Sequence, residues 1–355
     1  MAMNLSLEQA ANALATIGMH NTLIFRGEPG VGKSELLKMF AKKFPDYFRA
    51  YIDCANLDLG DVAMPVIDRD LMVTNYAPNS RFGVGIGQTR PVIVMLDELG
   101  KSSKAVLNML LPTILEHRIG DVPLPAGSIV FATTNLDTDG VGDNIPAHAY
   151  NRMTEVIIPK PTPKAWLLWA ADNDICPEVM VAVRQEPSFL DSYVDMKPND
   201  LNPYIFNPLK GNTRNFVSPR SLEKASHIIK ARESLGDSVL PLLAGTIGES
   251  AARQLEALVN LSDQVPLYEH LVAKPKTTKV PESVGALFIL AFMMAGRAQP
   301  DDLDALCEYT ERLAKESFEA AGLFITTLMS NNSKVGWAAR NRNVTKLSAE
   351  YGKYF

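Results

Sequence analysis

Residues 27–34 read GEPGVGKS, the most specific motif in the chain. It fits the pattern G-x-x-x-x-G-K-[ST] at every fixed position. An apolar run from Thr22 to Phe25 precedes it, and apolar residues at helical spacing follow it from Leu36 to Phe40. Glycines let a backbone wrap around phosphates, and the N–H groups at the start of a helix face the anion. The stretch therefore predicts a loop between a strand and a helix that binds the phosphate chain of a nucleoside triphosphate.

Two side chains of this loop have predicted roles. Lys33 is expected to neutralise charge on the β- and γ-phosphates, and Ser34 to ligate Mg²⁺. A glycine-rich turn that arises by chance is the alternative, but the strand before it and the helix after it favour the phosphate loop. We expect nucleotide contacts from the whole loop, which consists of Gly27, Glu28, Pro29, Gly30, Val31, Gly32, Lys33 and Ser34.

A pair of acids follows the apolar run Val92 to Leu96, which is typical of a strand buried on both faces. Asp97 and Glu98 should therefore lie at the carboxyl edge of the sheet, where open α/β sheets bind ligands. We expect Asp97 to hold Mg²⁺, directly or through water, and Glu98 to act as the base for the attacking water. A strand that simply exits into solvent is the alternative, but the position about 65 residues after the phosphate loop favours a hydrolytic site.

Three further residues are candidates for the same site. Asn135 ends the apolar strand pattern that begins at Ser128 and can hydrogen-bond the γ-phosphate or the water; a turn-forming Asn is the alternative. Arg152 offers a guanidinium fork that matches phosphate oxygens, although a surface ion pair also explains it. Arg220 stands in Ser-Pro-Arg at a predicted helix start and would have to fold back over the nucleotide.

The order of the patterns predicts the domain organisation. Strands and helices alternate up to about residue 158, which is typical of an α/β domain with a mainly parallel sheet. PKPTP at residues 159–163 marks a boundary, and helical spacing dominates beyond it. Residues 186–219 hold five prolines and five asparagines, so we expect an extended loop there. The prediction is an α/β nucleotide-binding core over 1–158, a helical lid over 159–235 and a helical C-terminal extension over 236–355.

Composition limits the class of protein. The net charge of -5 over 355 residues offers no whole-chain electrostatic attraction for nucleic acid or an anionic membrane. Cys54, Cys176 and Cys307 lack CxxC spacing, so they are predicted to be small buried hydrophobes in a reducing compartment. The N-terminus lacks the pattern of a signal peptide, and the most apolar run, 285–296, is too short to cross a bilayer. We therefore expect a cytoplasmic protein without a membrane partner.

The order of these motifs resembles that of AAA+ ATPases, and in particular their MoxR-type branch. Residues 96–135 read LDELGKSSKAVLNMLLPTILEHRIGDVPLPAGSIVFATTN, similar to a family signature of DE, helix, Leu-Leu-Glu-x-Arg, Leu-Pro, strand and Thr-x-Asn. The resemblance covers about residues 1–235 and, less specifically, the helical region after it. It implies that Lys33 and Ser34 belong to Walker A, Asp97 and Glu98 to Walker B, Asn135 to sensor 1, Arg152 to the arginine finger and Arg220 to sensor 2.

The resemblance also implies partners. An arginine finger completes the site of a neighbouring subunit, so the resemblance implies a homo-oligomeric ring, which is usually a hexamer in the family. The resemblance also implies that this ring uses ATP and Mg²⁺. Such ATPases commonly remodel or mature a protein complex together with a protein that has a von Willebrand factor A domain. In the family the area that corresponds to residues 82–87 borders an inserted loop that can face the pore of the ring, where Tyr76 and Arg81 could contact a bound molecule. The finger reads Asn-Arg-Met where Asp-Arg-Phe is common, which leaves Arg118 as a rival for the interface.

Three alternatives stay open at this point. GTP could replace ATP, although the chain contains no [NT]KxD motif to read guanine. A nucleic-acid-directed motor of the restriction or replication type would use the same nucleotide site, and the net charge argues against it. A nucleotide-gated scaffold would bind without hydrolysis, which the presence of Glu98 argues against.

Overall fold

The protein folds into two compact units, Met1–Lys160 and Pro161–Phe355. The computed structural model describes residues 4–136, 145–197, 202–208 and 214–352. The first unit mixes helices and strands, whereas the second is built from helices in its described part. The division between the two units falls between Lys160 and Pro161, within the segment PKPTP.

The first unit alternates strands and helices around the phosphate loop. Its strands and helices, in chain order, are α1 (Leu7–Ile17), β1 (Leu23–Arg26), α2 (Glu35–Lys43), β2 (Phe48–Asp53), α3 (Leu59–Val62), β3 (Ala63–Asp68), β4 (Val73–Pro78), β5 (Val92–Asp97), α4 (Lys104–Glu116), β6 (Arg118–Ile119), β7 (Val122–Pro123), β8 (Ile129–Thr134), α5 (Ala147–Tyr150) and β9 (Thr154–Ile157).

Five of these strands form one sheet in the order β2-β5-β8-β1-β9, and every neighbouring pair is parallel. All six residues of β5 and all six of β8 are buried, which explains why both read as continuous apolar runs. Because β8 lies between β1 and β5, the carboxyl ends of these three strands meet at one edge. Asp97 ends β5, and the phosphate loop and Asn135 directly follow β1 and β8.

The two faces of the sheet pack on different helices. Along β5, Val92, Val94 and Leu96 belong to the core that contains α4, while Ile93 and Met95 belong to the core that contains α1 and α2. Alternate residues of a strand point to opposite faces. Residues at the strand ends that point to the face toward α2 therefore lie on the same side of the sheet as the phosphate loop.

Two antiparallel hairpins, β3–β4 and β6–β7, lie outside the five-stranded sheet. They contact each other where the Tyr76 N–H donates to Asp121 Oδ2 at 2.6 Å and the Asp121 N–H donates to the Tyr76 carbonyl at 3.0 Å. Gly120 has a φ of 55°, and a Cβ there would lie 2.2 Å from the Tyr76 carbonyl oxygen. Only glycine allows this close approach.

The helices of the second unit are short to medium in length. They are α6 (Pro163–Asp172), α7 (Pro177–Gln185), α8 (Pro219–Lys230), α9 (Arg232–Leu235), α10 (Val239–Ile247), α11 (Glu249–Ser262), α12 (Tyr268–Ala273), α13 (Val284–Arg297), α14 (Leu303–Glu316), α15 (Phe318–Ser330), α16 (Val335–Ala338) and α17 (Arg342–Tyr351).

One hydrophobic core runs through the second unit, from Trp166 to Tyr351. It includes residues on both sides of position 235, such as Leu222 and Leu290. Whether residues 159–235 act as a lid apart from the later helices therefore stays a prediction. Within the described ranges, no helix is long and apolar enough to cross a membrane.

The predicted fold class is confirmed: a P-loop core with a parallel sheet precedes a helical region. All three cysteines are buried and free, as expected. The sequence did not predict β9 or the two hairpins. Strand β9 contains only four residues, and the β3–β4 hairpin exposes its apolar side chains instead of burying them.

Candidate functional site

The phosphate loop, residues 27–34, connects β1 to α2. Gly30 and Gly32 have φ values of 77° and 101°, in the left-handed region that side chains disfavour. A Cβ on Gly27 would lie 2.5 Å from the carbonyl oxygen of Ile158, so this position also requires glycine. Val31 is buried in the core beside α1 and α2, and this packing holds the loop against the core. The loop therefore presents backbone N–H groups at the start of a helix.

Lys33 lies inside the loop and is buried, with 8% of its surface exposed. Its ammonium donates to the carbonyl oxygens of Gly27 at 2.5 Å and Glu28 at 3.1 Å, and to Asn135 Oδ1 at 3.0 Å. The structure thus brings together the predicted phosphate-binding lysine and the predicted sensor amide. Asn135 directly follows β8, which is the strand next to β1.

Asp97 is buried at the end of β5 and faces three hydroxyl groups. Tyr51 donates to Asp97 Oδ2 at 2.7 Å, and Ser34 donates more weakly to the same oxygen at 3.4 Å. Thr133 donates a hydrogen bond to the other oxygen, Oδ1. Both carboxylate oxygens are therefore held by neutral donors, and the negative charge of Asp97 is not cancelled by a cation in these contacts.

Glu98 follows Asp97 in a left-handed conformation, with φ 53° and ψ 40°. Such a conformation is uncommon outside glycine and tends to occur at functional sites. The Glu98 N–H donates to Thr133 Oγ1 at 3.3 Å, so Thr133 connects both acids. The Glu98 carboxylate pairs with Lys101 at 2.8 Å, and its side chain is 37% exposed. It is therefore accessible to solvent water at the strand edge.

The oxygen donors at this edge suit Mg²⁺. Ser34 supplies a hydroxyl and Asp97 a carboxylate, and hard oxygen ligands are the ones that Mg²⁺ prefers. Ser34 and Asp97 are the residues that would hold the ion, which would neutralise phosphate charge when bound with the nucleotide.

The charge of Asp97 affects its neighbours. Burial, together with the hydrogen bond to Asp97, raises the pKa of the Tyr51 hydroxyl well above its ordinary value. Burial, and then the nearby Asp97 carboxylate, likewise raises the pKa of the Cys54 thiol. Tyr51 is thus a neutral donor at physiological pH, and Cys54 is a neutral thiol within the core.

The side chain of Glu28 forms a buried ion pair and does not face solvent. Its carboxylate lies 3.2 Å from the ammonium of Lys160, and these two side chains are only 4% and 3% exposed. The pair forms because β1 and β9 are neighbours, with Arg26 in register with Ile157, so the segments after both strands meet. Glu28 was expected to contact the nucleotide; its backbone lies in the loop, while its side chain serves this buried ion pair.

The predicted arginines differ in their surroundings. Arg152 follows α5 and is exposed, and among the described residues its guanidinium has no hydrogen bond or ion pair. Arg118 instead pairs with Glu116 at 2.6 Å and donates to the Gly120 carbonyl at 2.6 Å. Arg220 is exposed in the first turn of α8, in the second unit. Its predicted role at the nucleotide stays a prediction.

Three residues at the site were missed by the sequence analysis: Tyr51, Thr133 and Lys160. Thr133 and Asn135 are two apart, so strand periodicity places them on the same face, and this signal was available. Tyr51 shares that face through its register with Met95, which requires knowledge of strand order. Lys160 carries no pattern of its own, because its partner is determined by the pairing of β1 with β9.

Comparison with known proteins finds no protein-family model and no curated protein that matches this chain. Among solved structures, a candidate ATPase of Cytophaga hutchinsonii is 13% identical, with 86% of this chain and 81% of that chain covered and a TM-score of 0.36. A variant of Thermotoga maritima RuvB is 15% identical, with 88% and 91% covered and a TM-score of 0.38. The Thermotoga maritima RuvB Holliday junction branch migration motor is 16% identical, with 88% and 86% covered and a TM-score of 0.36.

The loop between β1 and α2, the order β2-β5-β8-β1-β9 and the acids at the end of β5 make the first unit a P-loop core with a five-stranded parallel sheet.

Proposed function

We propose that this chain hydrolyses ATP with Mg²⁺ as one subunit of a homo-oligomeric ring, with a hexamer as the expected size. The ring would remodel or mature a partner protein complex in the cytoplasm, together with a protein that has a von Willebrand factor A domain. The observation that carries the hydrolytic part is the single edge at which Lys33, Asn135 and the Asp97–Glu98 pair meet.

Each residue at this edge has a task in hydrolysis. Lys33 exchanges its contacts with the loop carbonyls for phosphate oxygens, since both are oxygen acceptors. Glu98 accepts the proton of the attacking water, because its carboxylate is exposed at the strand edge. Asn135, already in contact with Lys33, reports on the γ-phosphate. The absence of a guanine-reading [NT]KxD motif from the chain favours ATP over GTP.

The β3–β4 hairpin supports a protein partner. Ile67 and Leu71 are each 71% exposed and Met72 is 85% exposed, so the hairpin offers an apolar surface. Apolar side chains at this exposure bind other proteins more readily than they bind phosphates. Residues 59–82 contain three aspartates and two arginines, so this segment lacks the basic charge that a nucleic-acid contact needs. Of those arginines, Arg81 pairs with Asp61 at 2.8 Å.

Capture of a client tests the proposal. We expect the Glu98→Gln variant with ATP to retain a protein client on the ring, and Ile67→Asp/Leu71→Asp in the same background to lose it. Ile86→Asp is the matched control, because Ile86 is fully exposed outside the hairpin. Mass spectrometry of the captured material is the readout, and thermal unfolding verifies that the variants fold. Recovery of nucleic acid alone, or equal capture by all three variants, would reject a protein client bound at the hairpin.

In the proposed ring, each nucleotide site is expected to combine residues of two neighbouring subunits. We expect Arg152→Ala to lower ATP hydrolysis about 10- to 100-fold, the value of one lost charge-assisted hydrogen bond to a phosphate. Mixing Arg152→Ala subunits with inactive Glu98→Gln subunits should restore part of the activity, because some sites then combine an intact Glu98 with a neighbour's intact Arg152. A phosphate-release assay on defined mixtures measures this.

Arg118→Ala provides the comparison, since Arg118 already pairs with Glu116 within its own subunit. We expect little loss of hydrolysis in that variant. If Arg118→Ala is the variant that loses activity and is rescued by mixing, the finger is Arg118. A chain that stays monomeric by light scattering both with and without ATP would remove the ring and the role of Arg152 with it.

A further inference from the structure

We infer that Tyr51 is a positioning residue for the metal-binding carboxylate of Asp97, an inference that rests on the proposed ATPase function. Nothing in the sequence motifs points to Tyr51, which lies on the edge strand β2, outside the phosphate loop and outside the strand that carries the acids.

The geometry around Asp97 supports this role. The Tyr51 hydroxyl donates to Asp97 Oδ2 at 2.7 Å, and the Thr133 hydroxyl donates to Oδ1. One donor on each oxygen fixes the rotation of the carboxylate about its Cβ–Cγ bond. In this orientation Oδ2 also contacts Ser34 Oγ at 3.4 Å, so the carboxylate and the hydroxyl that would share the ion face each other.

The sheet explains how a residue on an edge strand reaches the site. Tyr51 pairs in register with Met95, and Asp53 pairs with Asp97, so Tyr51 lies one strand away and two residues before the acid. Tyr51 alternates with Ala50 and Ile52, which are buried in the core beside α4. It therefore points to the opposite face, where the phosphate loop lies, and a tyrosine is long enough to span the remaining distance.

Packing alone does not account for the choice of tyrosine. Tyr51 is 52% exposed, so much of its ring faces solvent and apolar packing of the ring contributes little to stability there. A phenylalanine would serve equally well for packing, whereas only the hydroxyl contacts Asp97. A lysine or arginine in this place would neutralise the carboxylate, but a phenol orients it and leaves its full charge for a divalent cation.

Loss of the hydroxyl should therefore weaken the metal site specifically. A hydrogen bond to a charged group is worth about a tenfold change in an equilibrium constant. We expect Tyr51→Phe to raise the Mn²⁺ concentration for half-saturation about tenfold, measured by electron paramagnetic resonance on the full chain with a non-hydrolysable ATP analogue. Binding of the same analogue in EDTA should not change. The Mg²⁺ concentration for half-maximal hydrolysis should rise, while kcat at saturating Mg²⁺ stays within about twofold of wild type.

Tyr47→Phe is the matched control, because Tyr47 lies just before β2 and no hydrogen bond of its hydroxyl occurs among the described residues. Its Mn²⁺ binding should equal that of wild type. Unchanged or tighter Mn²⁺ binding by Tyr51→Phe would overturn the inference, as would an equal loss of analogue binding in EDTA. Failure of the wild-type chain to bind Mn²⁺ with the analogue would instead overturn the proposed function, and this inference with it.

Discussion

The Glu98→Gln variant is expected to bind ATP and to hydrolyse it about 10²- to 10⁴-fold more slowly than wild type, the usual contribution of a general base. Glutamine keeps the size of the side chain and its ability to hydrogen-bond, but it cannot accept the proton of water. The left-handed backbone at residue 98 is held by the N–H contact with Thr133 at 3.3 Å, which the substitution leaves in place. A phosphate-release assay and a fluorescent-nucleotide titration separate hydrolysis from binding.

The matched control is Glu8→Gln, an exposed acid in the first turn of α1. Its rate should equal that of wild type, so that any loss at position 98 belongs to the site. A Glu98→Gln rate equal to wild type would reject Glu98 as the base. Absence of hydrolysis in the wild-type chain, with ATP binding intact, would favour a nucleotide-gated scaffold over the ATPase.

The sequence predicts those parts of the site that depend on the ends of parallel strands. Lys33 lies in the phosphate loop, and Asp97 and Asn135 follow apolar runs. Parallel strands bring their carboxyl ends to one edge of the sheet. Their contacts at 3.0 Å between Lys33 and Asn135, and at 3.4 Å between Ser34 and Asp97, follow from that rule. These elements carry strong local patterns that tertiary structure does not override.

The missed elements depend on tertiary pairing. Strand β9 is four residues long, too short for a distinct pattern, yet its pairing with β1 determines where Lys160 lies. The β3–β4 hairpin is apolar but exposed, so a rule that assigns apolar residues to the core cannot place it. Tyr51 required the register of β2 against β5 before its contact with Asp97 could be predicted.

Removal of Lys160 is expected to destabilise the first unit by about 3–5 kcal/mol, because it removes the positive charge of a buried ion pair and leaves the negative charge in place. The two side chains are 3% and 4% exposed and lie 3.2 Å apart, so water cannot replace the lost partner. Lys160→Met keeps most of the length of the stem and removes only the charge. Urea unfolding of the full chain measures the loss, and Lys104→Met, at an exposed lysine in the same unit, should change stability by less than about 0.5 kcal/mol.

The same variant should also weaken nucleotide binding, because Glu28 lies within the phosphate loop and its carbonyl accepts from Lys33 at 3.1 Å. A displaced Glu28 side chain moves that carbonyl, so ATP should protect the Lys160→Met variant from unfolding less than it protects wild type. Glu28→Gln/Lys160→Met removes both charges and should recover part of the lost stability, since coupled partners are not additive. If the double variant is as unstable as the sum of the two single ones, the two residues act independently, and their ion pair does not position the loop.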